Sequence, residues 1–300
     1  MELPEALGFR SSFVKVNGVS LHCVEKGSGP LVLLLHGWPE FWYSWRHALN
    51  GLSSQYRVVA PDMRGFNLSE RPEGIAPYAL GNLVADVIGL LDHFGADKVH
   101  LVGHDWGGIV AWQTAIQHPE RLNDLVILNC PHPDAFRRAL KRDWRQRMRS
   151  WYMAFFLVPG LPDVLIRSFL PQFFQTILAN WTHRKDAFTP EDLARYTEAF
   201  RRKGAVTASL NYYRALFRLG PPRTDRFRTP IPVPILVLWG KDDKALGHAM
   251  TKGMERYAGA GYQQIDIDHC SHWIQHEVPD RVHHAMLEFW DNGAVRHSEA

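Results

Sequence analysis

Several features that would take a chain out of the ordinary globular class are scarce here. Three cysteines occur in 300 residues, Cys23, Cys130 and Cys270, and they are far apart. An odd, widely spaced set argues against a disulfide framework and against a cysteine-based zinc site. No run of about 18 uninterrupted apolar residues is present, so no membrane span is expected. The opening MELPEALGFRSSF carries acids and a proline where a secretory leader has a basic start and an apolar core, and it is read as no leader. A reducing cytoplasm is the expected compartment. Charge of one sign is not in large excess either: the formal net charge is +3, too small to call for nucleic acid or a membrane on its own. Internal repeats and low-complexity tracts are lacking.

What is present suits a soluble domain with a sizeable core, 46% hydrophobic and 22% charged. Eleven Trp and sixteen Phe are enough rings to wall an apolar pocket as well as to fill a core. The first 130 residues alternate strand and helix patterns. FVKVNGVSLHCVEKG predicts a hairpin turning at Asn17-Gly18. GPLVLLLHG, YRVVAPDMRG, KVHLVGH and LNDLVILNC are apolar runs of the kind found in strands buried on both faces. YALGNLVADVIGLLDHFG has helical periodicity and stops at Gly95. The pattern is βαβ and predicts an α/β fold with a mostly parallel sheet.

From Pro133 the strand signal disappears and helical segments with several prolines follow, until PIPVPILVLWG and YQQIDID bring back two strands and VHHAMLEFW a helix. The expected division is a core of residues 1–132 and 225–300 interrupted by a helical insertion, 133–224. The last residues, NGAVRHSEA, read as a frayed tail. Within the insertion, Arg137–Arg149 holds six Arg and one Lys against one Asp. Such a run could attract an anionic partner or a membrane surface. Phe136, Leu140, Trp144 and Met148 recur as one apolar stripe, so the segment reads as a helix with that stripe buried and its charges solvated.

LVGHDWGGIVAW, residues 101–112, places Gly103-His104-Asp105-Trp106-Gly107 between an apolar strand and a helix. That is the form of a nucleophile elbow, in which the central residue is ordinarily serine. Here it is Asp105. HGWP, residues 36–39, directly follows the strand LVLLL, where the loop supplies one backbone N–H of an oxyanion hole; the residue after the nucleophile supplies the other. Those donors are Trp38 and Trp106. Acid and histidine partners follow the nucleophile in chain order. GKDD, after one late strand, offers Asp242 and Asp243; HCSHW, after the next, offers His269 and His272. Asn129, at the end of LVILN, cannot serve as the acid.

HGWPEFWYSWR, DMRGFNLSERP, GHDWGG, GKDD and CSHW together resemble the α/β-hydrolase-fold epoxide hydrolases of the soluble type, over residues 12 to 290. The resemblance implies an α/β-hydrolase fold with the insertion as a helical cap. It picks Asp243 and His272 from the two pairs. It implies two cap tyrosines that hold and protonate the epoxide oxygen, and SWYMAFFLVPG and NYYRA put these at Tyr152 and Tyr213. It further implies a cis bond at Trp38-Pro39. One departure is Asn67, where a glycine is common; Asn tolerates left-handed backbone, so only a local change is expected. The elbow is shared with haloalkane dehalogenases, whose halide would need Trp106 and a second donor.

An aspartate nucleophile makes chemical sense for such a substrate. Attack by serine on a saturated carbon would leave an ether that activated water cannot cleave. A carboxylate leaves an ester, which a histidine and an oxyanion hole can hydrolyse. The implied site is Asp105, His272, Asp243, Tyr152 and Tyr213, with Trp38, Trp106, Phe155 and Trp273 completing the pocket, and no metal or organic cofactor. Trp151, Phe155, Phe156, Phe169, Phe173 and Phe174 in the insertion suggest a small apolar epoxide as partner, with water. A homodimer is left open, and a non-catalytic ligand carrier on the same scaffold is the rival of another class.

Overall fold

Asn17 and Gly18 both take left-handed backbone, φ 46 and 75, as a two-residue hairpin turn demands. They join the first two of eight strands, and the computed structural model describes residues 4–220 and 229–298, with side chains through 291. The strands are β1 (Arg10–Val16), β2 (Val19–Lys26), β3 (Leu31–Leu35), β4 (Arg57–Pro61), β5 (Val99–His104), β6 (Leu122–Leu128), β7 (Ile235–Gly240) and β8 (Tyr262–Ile267). They form one sheet in the order β1-β2-β4-β3-β5-β6-β7-β8. β2 pairs antiparallel with both its neighbours, and every other pair is parallel. All residues of β3 and β7 are buried, which is why these strands read as unbroken apolar runs rather than as alternation.

Helices α1 (Arg46–Gly51), α2 (Leu80–His93) and α3 (Trp106–Gln117) link the early strands. α2 ends where expected, with Gly95 at φ 69. Between β6 and β7 lie α4 (Pro133–Arg142), α5 (Trp144–Arg149), α6 (Trp151–Phe156), α7 (Leu161–Ser168), α8 (Leu170–Phe174), α9 (Pro190–Arg201) and α10 (Ala205–Leu219). After β8 come α11 (Ile274–Glu277) and α12 (Pro279–Ser298). The expected boundary at residues 224 and 225 lies outside the described residues. One cluster of buried apolar side chains runs from the sheet and α3, with Leu33 and Trp112, into the helical segment, with Phe174 and Tyr212.

The basic run differs from expectation. Asp143 leaves the helical region, with φ −111 and ψ 107, and its carboxylate accepts from the Arg145 N–H at 2.9 Å. It thus ends α4 and caps α5. The break puts Trp144 and Met148 out of phase with Phe136 and Leu140, and both are largely exposed. The single buried stripe does not form.

Strand order reverses at β3, which has β4 on one side and β5 on the other. The loops leaving the carboxyl ends of β3 and β5 therefore diverge and open a crevice, the usual place for a ligand in such sheets. The β3 loop carries Trp38 and the β5 turn carries Asp105.

Candidate active site

Asp105 is held at φ 48 and ψ −116, between the end of β5 and the start of α3. For a residue with a Cβ this conformation costs about 1–3 kcal/mol and has to be enforced by its surroundings. The enforcement is close packing. A Cβ on Gly103 would stand 2.5 Å from the Gly107 carbonyl oxygen, and one on Gly37 would stand 2.6 Å from the Asp105 Cβ. Glycine at both positions lets the β3 loop and the α3 N-terminus close on the turn. The turn lifts the Asp105 carboxylate into a cavity, leaving 13% of its side chain accessible.

The carboxylate meets a donor and a ring. The Trp38 backbone N–H donates to Asp105 Oδ1 at 2.8 Å, and the Trp38-Pro39 bond is cis. His272 Nε2 lies 3.7 Å from Oδ2. Burial raises the Asp105 carboxyl above its ordinary value, opposed by His272, His104 and the backbone N–H groups of Trp38 and Trp106. On the far side of the ring, His272 Nδ1 is 2.7 Å from Asp243 Oδ2. Burial works against a charged His272, yet the Asp243 carboxylate, helped by Asp105 and Glu40, outweighs it and raises the ring to about 9. Asp243 is fully enclosed. Its Oδ1 accepts from the Ala245 and Leu246 N–H groups at 2.7 and 2.8 Å, and its Oδ2 accepts from Asn129 Nδ2 at 2.8 Å. Burial alone would raise its carboxyl, but His272 and these donors leave it lowered.

The structure thus joins Asp105, His272 and Asp243, and leaves the alternatives Asp242 and His269 at the surface. There Asp242 pairs with His183 at 3.2 Å. His183, Asp242 and His269 are the one exposed trio among the described residues whose ligand atoms lie within 4.8 Å of one another. None of them lines the cavity.

The cavity has a volume of about 430 Å³ and its lining is predominantly apolar. Asp105, His272 and Trp38 form its floor. Tyr152, Phe155 and Tyr213 descend from α6 and α10, and Trp273 closes one side. The Tyr152 and Tyr213 rings stand 6.2 Å apart at 82°. Burial raises both phenols far above the ordinary range, and the Asp105 charge adds to this. Both are therefore held as neutral O–H groups. Trp106 is not part of the lining: its ring packs edge-on against Tyr213 at 5.0 Å. Trp38 is locked by an N–H bond from its ring to Ser209 Oγ at 3.2 Å.

Sequence reading missed the support beneath the floor. Glu40 is wholly enclosed. Its carboxylate lies 2.7 Å from His104 Nδ1, 2.9 Å from His276 Nε2 and 3.1 Å from Gln275 Nε2. His104 Nε2 in turn lies 3.0 Å from the His272 carbonyl oxygen. Burial would raise Glu40, but His104 and His276 hold it well below the usual carboxylate range. His276 itself is lowered by burial to about 4. Only the glutamate in HGWPE signalled this, and nothing local distinguishes it from a surface acid. Asn67 keeps a left-handed φ of 40 and donates to Asp62 Oδ2 at 2.8 Å, the local accommodation expected. The three cysteines are buried and unpaired, and Cys130 packs behind the elbow against Gly108.

Residues 30–279 match the α/β hydrolase fold family. The AB hydrolase superfamily protein YfhM of Bacillus subtilis is 40% identical over 290 residues, covering 95% of this chain and 99% of that one. Epoxide hydrolase 1 of Caenorhabditis elegans is 36% identical over 296 residues, covering 96% and 72%. A solved epoxide hydrolase structure from Bacillus megaterium superposes with a TM-score of 0.84 at 30% identity, covering 93% of this chain and 100% of that one. The chain belongs to the α/β-hydrolase-fold family, and it is a hydrolase. Within that family its resemblance is to the epoxide hydrolases, as the motifs implied.

Proposed function

We propose that this protein hydrolyses apolar epoxides to vicinal diols through an ester on Asp105. The observation that carries the reading is one apolar cavity lined both by a carboxylate at an elbow and by two neutral phenols from the helical segment. Helices between β6 and β7 serve as a lid, residues 133–224, over a core of 1–132 and 225–300.

In the first step Asp105 Oδ2 attacks a ring carbon, since Oδ1 is tied to the Trp38 N–H. The C–O bond of the epoxide breaks as Tyr152 or Tyr213 gives its proton to the oxygen. The phenolate regains a proton from His272, which becomes neutral. Ester formation favours that transfer, because Asp105 loses the charge that helped to hold the ring protonated. Neutral His272, oriented by Asp243, takes a proton from water, whose oxygen adds to the ester carbonyl. The Trp38 and Trp106 N–H groups receive the oxyanion, each such donor being worth about 3–4 kcal/mol. Collapse releases the diol oxygen, which takes the remaining proton, and the starting ionic pair of Asp105 and His272 is restored.

A dehalogenase reading of the same nucleophile lacks support, since Trp106, the donor a halide would need, does not line the cavity and packs against Tyr213. The test is His272→Gln with styrene oxide. A mass increase equal to the substrate, stable and located on Asp105, is expected. Diol formed at the wild-type rate with no adduct would overturn the proposal.

A further inference from the structure

Eleven large apolar side chains are exposed among the described residues, and eight of them lie between Trp144 and Phe169. Trp144 is 63% exposed, Met148 64%, Trp151 64% and Phe169 56%. Trp151, Leu165 and Phe169 also line the cavity. Part of the exposed apolar surface is therefore the rim of the cavity mouth, and Trp144 and Met148 lie on the helix that directly precedes Trp151. Scattered apolar residues need no explanation, but a concentrated patch marks a surface that is covered in use.

The charge beside the rim indicates what covers it. In α5 only Gln146 is buried, so Arg145 and Arg147 stand exposed among Trp144 and Met148, with Lys141 and Arg142 just before them. The Arg145 guanidinium lies 5.8 Å from the Trp144 ring. Rings and aliphatic chains interleaved with arginines suit the boundary of an anionic bilayer, where apolar groups enter the acyl region and cations meet phosphates. A second copy of the chain fits less well, because it would set two basic faces against each other.

We propose that α4 to α8 dock the mouth of the cavity onto an anionic lipid bilayer, so that lipophilic epoxides enter directly from the membrane. The substrate part rests on the activity proposed above; the docking does not. No described helix is long and apolar enough to cross a membrane, and docking requires none.

The test is co-sedimentation of the full chain with vesicles, either of phosphatidylcholine alone or of phosphatidylcholine and phosphatidylglycerol in equal parts. Two variants avoid the cavity lining: Arg142→Glu/Arg145→Glu/Arg147→Glu, and Trp144→Ser/Met148→Ser. Arg149 is left in place, because it donates to the Asp243 carbonyl. The wild type should bind the anionic vesicles at least roughly tenfold more tightly than the neutral ones, and less so in raised salt. The charge variant should lose roughly a hundredfold and the apolar variant roughly tenfold. Both should keep wild-type turnover of styrene oxide in solution. Absence of binding at low salt, equal binding to both vesicle types, or binding indifferent to both variants overturns the docking. So does a dimer in sedimentation velocity that Trp144→Ser/Met148→Ser abolishes. A wild type that binds vesicles but never forms diol would defeat the proposed activity and leave the docking standing.

Discussion

On the sheet side of the cavity, charges are tied in place. Asp243 takes three donors and a histidine, Glu40 takes two histidines and a glutamine, and Asp105 takes a backbone N–H. On the helical side the wall is mostly rings and aliphatic chains, with Gln172 and Thr176 among them, and its two phenols are kept neutral by burial. On the proposed mechanism, one side holds ions at fixed positions, and the other accepts an apolar molecule and offers a proton. The difference assigns two duties to two kinds of structure. Charge placement belongs to strand ends and a tight turn, and substrate fit, on that mechanism, to side chains of the helical segment.

That division is broken most severely by Asp105→Ala. Diol formation should fall by at least roughly 10⁴-fold, while thermal unfolding stays cooperative. Retained turnover, measured by diol chromatography, would remove the floor from the chemistry. The roof is tested next. Tyr152→Phe and Tyr213→Phe should each slow ester formation roughly 10²–10⁴-fold in single-turnover experiments. Ester hydrolysis, which involves the floor, should be little changed; equal slowing of both steps would contradict the separation.

Asp243→Asn gives the most specific effect, on the titration of one ring. With the partner carboxylate gone, burial dominates and the His272 value should fall below about 9, observable by NMR titration of the ring. Stability should follow. His272 is raised from 6.5 to about 9 in the fold, so its contribution is fully present below about 6.5 and is lost as pH rises through about 9. Chemical denaturation across that window should show the loss in the wild type and a flatter profile in the variant.

The elbow could be read before any coordinates because its geometry leaves few options: Gly103 and Gly37 sit where a Cβ would collide, and an apolar strand and helix flank the turn. β8 likewise falls on YQQIDID, at Tyr262–Ile267. The choice of Asp243 over Asp242 was less accessible. Neighbouring residues after a strand have the same local pattern, and only the fold buries one and exposes the other. Glu40 was invisible for the same reason, since its partners His104, Gln275 and His276 come from distant stations. In the basic run, apolar periodicity outweighed the one contrary signal, Asp143, whose liking for helix N-termini divided the segment.

Cys130, packed against Gly108 behind the elbow, has one more consequence. Burial, reinforced by Asp105 and Asp243, pushes its thiol well above the ordinary range, and burial does the same for Cys23 and Cys270. A thiolate, rather than a thiol, is the form that alkylating agents capture. If the ester proposed on Asp105 forms, keeping the three thiols protonated and enclosed leaves that carboxylate, which hydrolysis frees again, as the group that meets the strained electrophile.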